Sequence, residues 1–186
     1  MTTPVLTTER LLLRPVELAD APAVQAIFPQ SEIVEFLGAV VPWPYPADGA
    51  LGYIRDVALP QVADGRAWHW SIRLRNEPER LIGMINLVAD EEINRGFWLD
   101  PAFHRRGLMR EAADAVTAYW FNELGQTVLR IPKAVANAGS RAISVREGAR
   151  VVWRGPKEYV SGWHDSELWE VTAEEWQAAR RRSDPR

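Results

Sequence analysis

Apolar positions recur along this chain with two periods, and where the period changes an element begins or ends. Leu11-Leu12-Leu13 is a short strand-like run stopped by Pro15, and Leu18, Ala21, Val24, Ala26 and Ile27 then recur at near-helical spacing across Glu17 to Phe28. From Gly38 to Gly49 the prolines Pro42, Pro44 and Pro46 alternate with Trp43 and Tyr45, a composition that predicts a structured loop. Aromatics on so stiff a loop suit either the lining of a pocket or a cap on the core. Leu51, Ile54, Val57, Ala58 and Val62 form one helical stripe over Ala50 to Val62. In Ala67 to Leu74 the alternation of Trp68, Trp70, Ile72 and Leu74 with His69, Ser71 and Arg73 predicts a strand. A turn at Asn76 to Glu79 and the run Leu81 to Val88 make it a hairpin, and after the polar Asp90-Glu91-Glu92 a third strand follows at Gly96 to Leu99.

Beyond Leu108 the apolar residues Ala112, Ala115, Val116, Tyr119 and Trp120 fall on one face of a long helix that Gly125 ends. A strand at Val128 to Val135, a shorter helix at Ser140 to Glu147, strands at Val151 to Val160 and Trp163 to Val171, and a helix at Thr172 to Arg182 complete the order. No repeat or low-complexity linker divides it, so the pattern predicts one α/β domain over 1–186.

Composition narrows the chemistry. With no cysteine, disulfides, thiolate metal sites and a cysteine nucleophile are excluded together, and His69, His104 and His164 lie too far apart in sequence to advertise a metal site. A net charge of -3 is adverse to a nucleic-acid partner, and no apolar run approaches the ~20 residues that cross a bilayer. The first ten residues lack the basic and apolar regions of a secretory signal, so the expected compartment is the cytoplasm.

The stretch with the clearest chemical content is the junction of the third strand with the long helix. Asp100-Pro101 ends the strand, and His104-Arg105-Arg106-Gly107 opens the helix. Such a junction presents unpaired backbone N–H groups and the positive end of the helix dipole, which together favour a phosphate. Gly107 permits close approach to the backbone, and Arg105, Arg106 and Arg110 add charge to the same turn. Neither the Walker spacing nor a dinucleotide-binding glycine pattern is present, which turns the reading away from ATP and NAD.

Gly96-Phe97-Trp98-Leu99-Asp100-Pro101, followed by Arg106-Gly107-Leu108-Met109-Arg110-Glu111-Ala112, resembles the acetyl-CoA motif of the GNAT superfamily, in the branch of ribosomal-protein N-terminal acetyltransferases. Thr8 to Pro15, Asn137-Ala138-Gly139-Ser140 and the closing hairpin carry the resemblance across roughly residues 8 to 176. It implies a GNAT-like α/β fold, with a mixed, mostly antiparallel central sheet of about six to seven strands flanked by helices. It also implies direct transfer of acetyl from acetyl-CoA to a primary amine, of a protein N-terminus or a small molecule, without a metal, by a monomer or homodimer. Phe97, Trp98 and Leu99 would then face the pantetheine arm, and the turn from His104 to Arg110, with Leu108 and Met109, would hold the pyrophosphate. Asn137 would bind the pantetheine arm, and Ser140 would protonate the leaving thiolate or cap its helix.

By the same resemblance the acceptor would lie between Trp43 with Tyr45 and the last hairpin turn, Ser161-Gly162-Trp163-His164, with His69 also a candidate. Three departures from the family pattern stand out: His104 and Met109 replace more usual residues in the loop, and Asn94 takes the place of a glutamate the branch often carries. An amide cannot act as a base, which leaves Glu91, Glu92 or His69 as candidates. It also keeps open a non-catalytic acyl-CoA-binding domain on the same fold.

Overall fold

The computed structural model describes residues 2–183; Met1 and residues 184–186 of the expected 1–186 domain lie outside the described residues. Strands β1 (Leu6–Thr7), β2 (Leu11–Pro15), β3 (Ala67–Leu74), β4 (Glu77–Val88) and β5 (Arg95–Leu99) form an antiparallel sheet in chain order. Strands β6 (Val128–Ala134), β7 (Arg150–Tyr159) and β8 (Gly162–Thr172) form a second antiparallel sheet in the order β6-β8-β7. The expected mixed α/β architecture is present, with eight strands among the described residues divided between two sheets.

Helices cover both faces of the first sheet. Helix α5 (Leu108–Asn122) presents Leu108, Ala112, Val116 and Trp120 to a core with Leu13, Trp70, Ile72 and Ile85, as its stripe requires. On the other face lie α1 (Ala21–Ile27), α2 (Ser31–Val34) and a continuous helical stretch made of α3 (Gly49–Tyr53), a π-helical turn at Ile54–Ala58 and α4 (Leu59–Ala63). Because of that second layer, the polar residues of β3 are buried as deeply as its tryptophans. His69, Ser71 and Arg73 are all inaccessible, and Arg73 is neutralised by Asp20 at 2.5 Å. Alternation along β3 marks which helical layer each side chain meets, rather than core against solvent.

The two sheets meet at one point. Asn94 N donates to Arg130 O at 2.9 Å and Asn94 Oδ1 accepts from Arg130 N at 2.6 Å, after which β5 and β6 share no ladder. The other end of the Asn94 side chain donates to Val88 O and Asp90 O. Asn94, 3% exposed, is thus a pin at the vertex of a V. Just inside it, Arg95 of β5 forms a two-pronged ion pair with Glu147 after helix α6 (Ala138–Arg146), and both side chains are fully buried. Thr117 of α5 shares in this cluster, which ties the strand to both helices. Helix α7 (Ala173–Ser183) closes the chain.

Candidate active site

The opening of the V leads into a cleft of about 820 Å³ that runs from the N-terminus of α5, between β5 and β6, to α2 and the end of β7. At one end, Asp100 accepts from Ala102 N and starts a single 3-10 turn, and the chain then enters α5 through Arg105 at φ 59 and Gly107 at φ 74. Two left-handed residues in three curl the backbone into a concave turn whose amide groups point one way. Gly107 is the N-cap residue and no side chain caps the helix, so the first-turn amides of Leu108, Met109 and Arg110 face the cleft without an intrahelical partner. These groups fit a phosphate, and a β-branched residue at φ 74 would be strained, its Cβ also lying 3.5 Å from the Arg10 guanidinium and 4.0 Å from that of Arg110.

Charge at this turn is distributed differently from the sequence expectation. Arg105 and Arg110 line the cleft, whereas Arg106 donates to Ala102 O and lies over the Phe103 ring at 5.2 Å. His104 lines the cleft with its Nε2 2.9 Å from Leu99 O, bracing the end of β5. A further cation comes from the start of the chain: Arg10 donates to Arg106 O at 2.9 Å and to Glu111 at 2.7 Å. Burial alone would raise the Glu111 carboxyl, but the hydrogen bonds from Thr8 and Arg10 outweigh it and hold Glu111 below the usual carboxylate range.

Along the V, Phe97, Trp98 and Leu99 line one wall, hydrogen-bonded to β4 only, so that the opposite backbone edge of β5 faces the cleft. Ile131, Lys133 and Ala134 line the other, with Asn137 and Ser140 above them. Asn137 is the cap of α6, accepting from Ser140 N at 3.0 Å; the helix begins two residues earlier than expected, and so the capping role falls to Asn137 rather than Ser140. Ser140 Oγ instead accepts from Lys133 Nζ at 2.7 Å. Burial pushes the Lys133 amine down to about 7, helped by the nearby Arg95 charge and opposed by Glu147. Sequence reasoning missed Lys133, since a lone lysine on a strand carries no signal until the neighbouring strand is known.

The far end of the cleft is built from Glu32, Glu35 and Phe36 against Lys157 and Tyr159. Backbone bonds from Val160 to Leu37 and from Ser161 to Glu35 stitch this segment to the β7–β8 hairpin. The residues expected around an acceptor lie elsewhere. Tyr45 packs on Phe28 at 4.8 Å and fills the space over Gly49, so it caps the helical core. Trp43 and Trp163 are 46% and 68% exposed and are absent from the cleft wall. His69 lies beneath the helical layer against Tyr53 and Gln61, and burial drives its pKa down to about 4, so it is a neutral core residue. Glu92 is exposed on the loop before the vertex, outside the cleft, where its amide completes a turn on Asp90. Neighbouring Glu91 lies in a separate shallow hollow with Asp90, outside the cleft. Among the described residues no metal-ligating cluster gathers, and no helix is long and apolar enough to cross a membrane.

Residues 10–150 match the family model described as an acetyltransferase (GNAT) domain. YoaA of Bacillus subtilis (strain 168), described as an uncharacterized N-acetyltransferase, is 28% identical over 149 residues, covering 78% of this chain and 82% of YoaA. Among solved structures, RimL, titled a ribosomal L7/L12 alpha-N-protein acetyltransferase in complex with coenzyme A, superposes with a TM-score of 0.72 at 17% identity, covering 91% of this chain and 98% of RimL. Mycobacterium smegmatis RimJ in complex with CoA-disulfide gives a TM-score of 0.76 at 20% identity, covering 92% and 87% of the two chains. At such identities these structures speak for the fold, and the match over three-quarters of the sequence gives the family: the chain belongs to the GNAT acetyltransferases.

Proposed function

We propose that this N-acetyltransferase binds acetyl-CoA in the V between β5 and β6 and transfers the acetyl group to a primary amine that enters past α2. The observation that carries the reading is the continuity of one cleft from the free amides of α5 to the carboxylates of Glu32 and Glu35. Acetyl-CoA supplies the activated acyl group as a thioester. The amides of Leu108 to Arg110, with Arg105 and Arg110, are placed to hold its pyrophosphate, and the free edge of β5 to pair with its pantetheine arm. A backbone N–H on that edge would polarise the thioester carbonyl as negative charge develops on it.

The acceptor end favours a cation. Glu32 and Glu35 are exposed, form no ion pair among the described residues and face the cleft, so they suit the ammonium of an incoming amine. The open mouth admits a peptide as readily as a small amine. RimL, whose fold this chain shares and which is titled an alpha-N-protein acetyltransferase, supports an α-amino group of a protein as the first acceptor to try. A cleft that joins the donor end to this mouth favours catalysis over a non-catalytic acyl-CoA-binding or regulatory domain.

The test is release of free CoA thiol from acetyl-CoA in the presence of peptides with serine, alanine or methionine N-termini and of small primary amines. Turnover with one class and not the other identifies the acceptor, and Glu35→Gln is expected to raise KM for it with little change in CoA affinity. Tight CoA binding without turnover of any amine would favour the non-catalytic, acyl-CoA-binding reading.

A further inference from the structure

Lys133 stands apart from the other cations among the described residues. The sequence holds only two lysines, Lys133 and Lys157, among its 22 basic residues, and both line the cleft. Lys133 is 3% exposed and forms no ion pair among the described residues. Its ammonium nitrogen has Ser140 Oγ at 2.7 Å and the face of Phe97 at 5.6 Å. The charged groups around it are already matched to others. Arg95 on β5 and Glu147 after α6 hold each other, and Glu167, opposite Lys133 in the β6–β8 register, is taken by Arg141 and Arg154. Tyr159 on β7 bonds to Ser166, which in turn donates to the backbone carbonyl of Lys133. A buried amine left without a carboxylate is costly to keep as an ammonium, so it favours the neutral form until negative charge appears beside it.

We propose that Lys133 and Ser140 form a two-member proton relay for acetyl transfer, Lys133 receiving the proton of the attacking amine through Ser140 and returning it through Ser140 to the departing sulfur. The inference rests on the acetyl-CoA reading above. The amine nitrogen bonds to the thioester carbon, giving a tetrahedral adduct with a cationic nitrogen and an anionic oxygen. That nitrogen releases one proton to the Ser140 oxygen as the serine passes its own to neutral Lys133. Collapse of the adduct re-forms the carbonyl and breaks the carbon–sulfur bond. The Lys133 ammonium then re-protonates Ser140 as the serine protonates the thiolate. Amide and free CoA thiol leave and Lys133 is neutral again; an amine received as an ammonium by Glu32 and Glu35 gives its extra proton to solvent before it attacks, and the relay itself then exchanges no proton with solvent. The amine depressed to about 7 suits this duty, because both of its forms are accessible near neutrality. No glutamate is then needed at position 94, where Asn94 is committed to pinning the strands.

Two measurements on the full chain test the relay. The first needs no acceptor: protein labelled with [ε-13C]lysine gives two side-chain signals, and Lys133→Met identifies one by removing it. The relay requires that this signal titrate near neutral pH and move when CoA is added; a signal that does not titrate below pH 9, or that CoA leaves unmoved, overturns it. The second compares Lys133→Met, Ser140→Ala and the double variant with the best acceptor of the amine panel. Each single change is expected to lower kcat by about 10²-fold or more while CoA Kd stays within about threefold, and the double variant to be no slower than the slower single one. Multiplying effects, or a Lys133→Met kcat within about threefold of wild type, would overturn the relay. Failure of the wild type to bind CoA at all would instead remove the acetyl-CoA reading on which it rests. Lys133→Met exchanges a lone buried amine for an apolar chain of similar length, so the fold is expected to survive.

Discussion

Replacing Asn94 with alanine tests whether the vertex of the V is held by one side chain. The change removes the 2.6 Å acceptor of the Arg130 amide and the donor shared by Val88 O and Asp90 O. Val88 O keeps a bond from Asp90 N, and Asp90 is exposed enough for water to replace the loss. The Arg130 N–H is the group left without a partner, and an unpaired donor of this kind costs about 1–3 kcal/mol. Adding the lost bonds, we expect about 2–3 kcal/mol, which for a chain of this size lowers Tm by roughly 4–12 °C. Asn94→Asp should be worse still. It keeps an acceptor for Arg130 but sets a carboxylate oxygen against the Val88 and Asp90 carbonyls, the latter only 2.5 Å from Nδ2. Thermal and urea unfolding of the three proteins gives these differences, and CoA titration shows whether CoA affinity depends on the vertex. An Asn94→Ala protein within about 0.5 kcal/mol of wild type would refute the pin, as would an Asn94→Asp protein of undiminished stability.

Two other groups give expectations of stability. His69 has a folded pKa of about 4, set by burial, against an ordinary value of 6.5. The unfolded chain therefore takes up a proton first as pH falls, and stability that is whole above about pH 6.5 declines by up to about 3 kcal/mol as pH passes through 4. Unfolding followed from pH 7 to pH 4 should show a shallower decline for His69→Leu than for wild type; equal slopes would contradict the burial argument. Glu147→Gln leaves the fully buried Arg95 with a neutral partner, and removal of one member of such a pair is expected to cost about 3–5 kcal/mol in urea unfolding. A cost below about 1 kcal/mol would mean that the cluster at the vertex is solvated.

Much of this layout was legible in the sequence because periodicity reports on which side of an element is covered. The stripe of α5 and the alternation of β3 both gave elements within a residue or two of those observed. The turn after β3 was misplaced because Pro78 lies in β4 within an irregular stretch between Glu77 and Leu81, where the ladder does not require its amide. The two-residue β1 and four-residue α2 are too short to carry a period, yet α2 brings Glu32 and Glu35 to the cleft. Trp43 and Tyr45 lie on a loop whose composition serves a core cap as well as a pocket wall, and sequence alone does not separate the two. Lys133 is a clearer case still. Its position on β6 follows from the pattern, but its burial depends on β5 and α6 closing over it, and no local window of sequence contains that fact.

The central claim is that the amides at the start of α5 hold the phosphates of acetyl-CoA, and ligand-induced thermal shift tests it most directly in wild type and Gly107→Val. The valine is strained at φ 74 and sets a branched side chain where the phosphate would approach, so its own Tm falls and only the shift within each protein is compared. Acetyl-CoA at ~100 times Kd should stabilise wild type by about 2.7 kcal/mol, a rise of roughly 5–11 °C. We expect that rise in wild type and its loss in Gly107→Val; an equal rise in both, or none in wild type, would contradict the assignment.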